Sequence, residues 1–114
     1  MKKKSFYNLH ADICKTISNP RRQAIIDTIR YKTLTVGQIV KKTGLPQSNI
    51  SQHLAMLKSK GVVSSRREGN NIYYSITNYK IIKAYDLLTE VLKDESLLRR
   101  DVIEHMFYSN GKGV

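Results

Sequence analysis

Cysteine occurs once in the 114 residues, as Cys14, and tryptophan not at all. A single thiol excludes an intramolecular disulfide framework. No apolar run reaches the ~18 residues that a membrane span needs. The basic start Met1-Lys2-Lys3-Lys4 leads into Ser5-Phe6-Tyr7-Asn8 rather than into the apolar core of a secretory signal. The three histidines and the cysteine have no spacing that pairs a nucleophile with a base, and no glycine-rich phosphate loop occurs, which argues against an enzyme. These gaps leave a soluble, cytoplasmic chain with no membrane partner, its length fitting one domain over residues 1–114.

Negative charge is the other scarcity. Nine Asp and Glu stand against twenty Lys and Arg, a formal net charge of +11, and the imbalance is local. Residues 28–67 hold eight basic side chains and no acidic one, whereas residues 79–108 hold five basic and six acidic. Solvated surfaces normally mix both signs, so eight cations without local counterions suit a polyanion, whose condensed cations they release on binding. Nucleic acid and an anionic membrane surface both fit, and plain solubility chemistry is a third reading. The membrane fits less well, because no basic amphipathic helix offers Trp or Phe and helix–turn signals punctuate the basic segment.

Apolar periodicity places the elements. Phe6, Leu9, Ile13 and Ile17 form one face of a helix over 5–18. Asn19-Pro20 reads as N-cap and N1 proline of a second helix, running to about Tyr31 with Ile25 and Ile29 on one face and Ala24 and Ile26 beside them. Thr35 and Gln38 are spaced as a capping box that opens a third helix with Val36, Ile39 and Val40 inward, and Gly44 suits a left-handed stop. Leu45-Pro46 turns into a fourth helix, about Gln47 to Lys60, whose Ile50, Leu54 and Leu57 face the core and which Gly61 ends. Val62–Arg67 and Ile72–Ile76 flank Glu68-Gly69-Asn70-Asn71 as a β-hairpin.

The helical period returns at Ile81, Tyr85, Leu88 and Leu92, and Ile82, Leu87 and Val91 widen the stripe beyond what one small core uses. Residues 93–96 read as an interruption with Ser96 as cap; the alternative is one helix to about Tyr108. The predicted fold is mainly α with a β-hairpin wing, an α+β arrangement in the order α-α-α-α-β-β-α(-α).

Helices three and four, joined by a short turn containing Gly44, have helix-turn-helix spacing over residues 35–60. Opposite its core face, the fourth helix carries Gln47, Ser48, Asn49, Ser51 and Gln52 over its first two turns. These side chains are poor helix formers and poor candidates for burial. They are well suited to the donor and acceptor edges of a DNA major groove, where glutamine matches adenine, and a recognition helix meets bases with its N-terminal part. A solvated surface would more ordinarily carry Lys and Glu. His53, at the edge of the core face, reads as a helix-packing residue or a phosphate contact rather than a base reader. Lys41, Lys42, Lys58 and Lys60 bracket the helix and suit phosphates. So do the wing residues Arg66, Arg67, Asn70 and Asn71, within a hairpin over 62–77. Arg21 and Arg22 fit either DNA backbone contacts or structural salt bridges.

Assembled, the chain resembles the ArsR/SmtB family of winged helix-turn-helix repressors over about residues 9–92. The residues that carry the resemblance are Ser18-Asn19-Pro20-Arg21-Arg22-Gln23-Ala24-Ile25-Ile26, Thr35-Val36-Gly37-Gln38-Ile39 and Leu45-Pro46-Gln47-Ser48-Asn49-Ile50-Ser51-Gln52-His53-Leu54, followed by Leu57-Lys58, Gly61-Val62-Val63 and Arg66-Arg67-Glu68-Gly69-Asn70-Asn71-Ile72-Tyr73-Tyr74. The resemblance implies a homodimeric repressor on a palindromic double-stranded DNA operator, released by an effector, with the dimer built from the first and last helices, here 5–18 and 79–108. Their wide apolar stripes are what a buried symmetric interface requires.

The family's soft-metal positions correspond to Thr35 and Gly37, which cannot ligate such a metal, and its zinc positions correspond to Asn78, Lys80, Val91 and Asp94. Neither usual metal site is present, and no cofactor is expected. A metal effector on His10, Cys14 and His105, with Asp101 and Glu104 near His105, stays open as an alternative. Cys14 as a small buried hydrophobe and a Cys14–Cys14 bridge between two copies stay open too. Two other functions compete with the operator-specific reading: an architectural DNA-coating protein with little sequence preference, and a protein-binding winged helix that has lost DNA contact.

Overall fold

The computed structural model describes residues 3–94, which fall into two compact units divided after Ile82. The first unit opens with α1 (Lys3–Ile17) and α2 (Pro20–Ile29). Asn19 caps α2 as expected, its Oδ1 accepting from the backbone N–H of Arg21 (2.9 Å) and of Arg22 (3.2 Å), with Pro20 in the position where a missing N–H costs nothing. Asn19→Ala should therefore lower the unfolding free energy by ~0.5–2 kcal/mol, read as a lower urea midpoint at unchanged slope; an unchanged midpoint would contradict the capping role.

Thr35 and Gln38 form the reciprocal capping box of α3 (Val36–Thr43): Gln38 N–H donates to Thr35 Oγ1 at 3.2 Å and Thr35 N–H to Gln38 Oε1 at 2.9 Å. Gly44 stops α3 at φ 73°, a backbone region that only glycine enters without strain. Leu45 and Pro46 then lead into α4 (Gln47–Ser59). At its far end the Val62 N–H reaches back to the Leu57 carbonyl (2.9 Å), the closure expected of a helix ending on a left-handed glycine, here Gly61.

The wing is β2 (Val63–Glu68) and β3 (Asn71–Ile76), antiparallel from Val63 opposite Ile76 to Glu68 opposite Asn71. Gly69 at φ 61° supplies the first central residue of the two-residue turn. The expected two-stranded hairpin proves to be a three-stranded sheet. A short strand β1 (Leu34–Thr35), just before α3, pairs with β3 through Leu34–Tyr74 and Thr35–Tyr73, giving the order β1-β3-β2. Two residues cannot display a period of two, and Thr35 had an evident second role as a cap.

A continuous apolar core joins Ile25, Ile26 and Ile29 of α2, Leu34, Ile39, the α4 face Ile50, Leu54 and Leu57, Val62, Val63, Ile76 and Ile82. Each fully buried aliphatic side chain stabilises the fold by ~1.5–3 kcal/mol in area terms. The α1 stripe divides: Ile13 and Ile17 pack on this core, whereas Phe6 and Leu9 are 54% and 58% exposed.

The last described helix, α5 (Lys80–Lys93), is preceded by Asn78, whose Oδ1 accepts from the Lys80 N–H at 3.0 Å. Its second-unit residues Leu87, Leu88, Val91 and Leu92 are exposed. The helix ends at Lys93 and Asp94 is no longer helical; the rest of the interruption expected at 93–96, and the alternative of one helix to about Tyr108, lie outside the described residues. Among the described residues no helix is long and apolar enough to cross a membrane.

Candidate nucleic-acid interface

The period of 3.6 residues gives α4 two faces. Ile50, Leu54 and Leu57 are fully buried, while Gln47, Ser48, Ser51 and Gln52 are all exposed on the other side. Pro46 provides no side-chain cap, so the first N–H groups of α4 are left for water or an anion. Asn49 differs from its neighbours: it is half-buried, and its Oδ1 accepts a hydrogen bond from Arg21 Nη1.

Arg21 and Arg22 thus bond to α4, and among the described residues they form no salt bridge, one of the two roles that their charge suggested. Arg22 donates from Nε to His53 Nδ1 (3.3 Å) and from Nη1 to the Thr16 carbonyl (2.9 Å), tying α2 to both α4 and the end of α1. The only sequence signal for this was two adjacent cations after a cap, with no carboxylate on α2 nearer than Asp27. The bond from Arg22 places His53 between α2 and α4, in keeping with the helix-packing alternative of its expected roles. Burial, then the charges of Arg22 and Arg21, hold its imidazole below the ordinary value of 6.5, because an Nδ1 that accepts from a guanidinium resists protonation.

A folded-state histidine pKa below the unfolded one means that the unfolded chain binds more protons, so stability rises with pH. The His53 contribution is complete above pH 6.5 and lost as pH falls through the depressed folded value. In urea titrations at about pH 7.5 and about pH 5, His53→Gln should lose less stability on acidification than the parent. An equal loss in both proteins would contradict this.

The flanking cations divide into two sets. Lys58 Nζ donates to Ser65 Oγ on the wing at 2.7 Å, Lys60 Nζ pairs with Asp12 at 3.0 Å, and Arg66 pairs with Glu68 at 3.1 Å while its guanidinium lies 5.8 Å from the Tyr73 ring centre. Lys41 and Lys42, in the last turn of α3, and Arg67, on β2, are exposed and have no ion-pair or hydrogen-bond partner among the described residues. Asn70 and Asn71 are exposed at the hairpin tip.

For the metal alternative, Cys14 Sγ lies 3.6 Å from His10 Nδ1 on exposed α1, and His10 packs near Phe6 with ring centres 6.2 Å apart. Cys14 is therefore exposed rather than a buried hydrophobe. His105, Asp101 and Glu104 lie outside the described residues, and among those described no three His, Cys, Asp or Glu side chains gather as a metal site.

Residues 19–65, from the α2 cap to the middle of β2, match the family described as bacterial regulatory protein, arsR family. Over most of the chain the relation is closer still: the HTH-type transcriptional regulator Rv0081 of Mycobacterium tuberculosis is 34% identical over 107 residues, 90% of this chain and 94% of its own length. The chain belongs to the ArsR family. The transcriptional repressor PagR of Bacillus anthracis is another relative, 39% identical over 82 residues, 71% of this chain and 82% of PagR. Among solved structures, the homodimeric winged helix-turn-helix DNA-binding domain Mb0332 of Mycobacterium bovis superposes with a TM-score of 0.71 and 33% identity, over 83% of this chain and 87% of that one. As an ArsR-family member the protein is a winged helix-turn-helix, DNA-binding transcriptional regulator and not an enzyme.

Proposed function

We propose that this ArsR-family regulator is a cytoplasmic homodimeric repressor that reads a palindromic operator through Gln47, Ser48, Ser51 and Gln52 and leaves it when an effector binds. The observation that carries the reading is the exposed amide-and-hydroxyl ridge on α4, whose opposite face is locked into the core, flanked by Lys41, Lys42 and Arg67, cations with no partner among the described residues. Ridge side chains match base edges, while the cations and the uncapped α4 N-terminus match phosphates. Asn49 serves the ridge chiefly through its bond to Arg21, which fixes the first turn of α4. Lys58 joins α4 to the wing, so the two meet DNA as one body, with Arg66, Asn70 and Asn71 contributing from the hairpin.

Homodimer formation is supported by the exposed apolar side chains Phe6, Tyr7 and Leu9 on α1 and Leu87, Leu88, Val91 and Leu92 on α5. Exposed apolar side chains in such number belong in an interface. Two recognition helices then enter successive major grooves ~34–36 Å apart. The test compares a duplex selected from a random pool with a scrambled duplex of equal length, at physiological salt. Binding at least ~10³-fold tighter to the selected duplex is expected; a ratio near one would replace this reading with non-specific coating.

A further inference from the structure

A cleft of about 490 Å³, lined mostly by charged and polar residues, opens between the second half of α1, the start of α2 and the C-terminal end of α4, away from the base-reading ridge. From Gln52 to Lys60 the chain advances ~12 Å along the helix axis. Three cations line the cleft, Lys15, Arg22 and Lys60, with one carboxylate, Asp12. Lys60 and Asp12 neutralise each other at 3.0 Å. Lys15 has no ion-pair partner among the described residues. Half-buried Arg22 spends its hydrogen bonds on two neutral acceptors, the Thr16 carbonyl and His53 Nδ1. The cleft thus holds two positive charges without a counterion among the described residues, beside the exposed thioether of Met56. Guanidinium and ammonium groups so placed favour a carboxylate or phosphate over neutral acceptors, because charge-assisted hydrogen bonds are about twice as strong.

We propose that this cleft binds a small organic anion, its carboxylate or phosphate between Lys15 and Arg22 and its apolar part against Met56, and that this anion is the effector. The inference rests on the reading of the chain as an operator-bound repressor. An anion at Arg22 competes with His53 and the Thr16 carbonyl for the guanidinium, and so loosens one of the two side-chain hydrogen bonds, the other being Arg21–Asn49, through which α2 steadies the recognition helix. Anion and operator then oppose each other, each lowering the other's affinity by the same factor.

The experiment follows the methyl resonance of Met56, assigned with Met56→Leu, in the DNA-free protein titrated with benzoate, phenyl phosphate or uncharged benzyl alcohol. Saturable movement with at least one anion and not with the alcohol is expected, and the tighter of the two identifies the head group. Lys15→Glu should weaken that binding about tenfold while leaving DNA affinity without anion within about twofold. Saturating anion should release selected DNA from the parent protein. The proposal is overturned if neither anion moves Met56 more than the alcohol does, or if Lys15→Glu binds the anions as well as the parent. It is also overturned if anion binding leaves the DNA complex intact, or if Lys15→Glu loses DNA affinity as Lys41→Glu does, which would make the cleft a phosphate contact. Failure of the operator reading has a different signature: no duplex is preferred, whatever Met56 reports.

Discussion

Leu54→Ala is expected to lower the unfolding free energy by ~2–5 kcal/mol, the largest effect of any single change considered. Leu54 is fully buried in the middle of α4, between Ile50 and Leu57 on the same face, where a lost isobutyl group leaves a cavity that the surrounding helices fill only in part. Against a total of ~5–15 kcal/mol for a domain of this kind, that loss moves the thermal midpoint by many degrees. The check is a urea titration in which the midpoint falls while the slope stays constant. A loss below ~1 kcal/mol would mean that this face of α4 does not anchor the recognition helix. DNA binding should suffer as well, since the buried face of α4 positions the ridge on its opposite side.

The second large effect concerns DNA alone. Gln52→Ala should bind the selected duplex ~1–3 kcal/mol more weakly and relax discrimination at one position in each half-site, with little change in folding stability because Gln52 is exposed. Lys41→Ala supplies the contrast. It should weaken binding to all duplexes alike and reduce the steepness of the salt dependence by about one unit. Equal affinity and unchanged base preference in Gln52→Ala would remove that residue from the reading face.

Much of this fold is legible in the sequence wherever the deciding interaction is local. The Asn19 cap, the Thr35–Gln38 box and the Gly44 stop each join residues within a few positions of one another, so spacing and residue type suffice. The two faces of α4 follow from helical period alone. The strand Leu34–Thr35 is hidden because its partners, Tyr73 and Tyr74, lie far along the chain and it has no pattern of its own.

Charge shows the same division. The eight cations of 28–67 are countable, yet nothing local reveals that Lys60 reaches back 48 residues to Asp12, or that Arg21 and Arg22 cross to α4 and bond neutral acceptors. Sequence thus identifies the basic region, and geometry separates Lys41, Lys42 and Arg67 from the cations that the fold already uses. Periodicity likewise marks Phe6 and Leu9 as apolar-face residues without saying that they stay outside the core.

Base reading by α4 is read out most directly from the side-chain amide resonances of Gln47 and Gln52 in labelled protein as duplex DNA is added. Both are expected to move to new, exchange-protected positions with the selected duplex and to stay near their free positions with a scrambled one, while the backbone amides at the start of α4 respond to both duplexes. Side-chain amides that are unmoved by the selected duplex, with the binding response centred on another surface, would contradict base reading by α4.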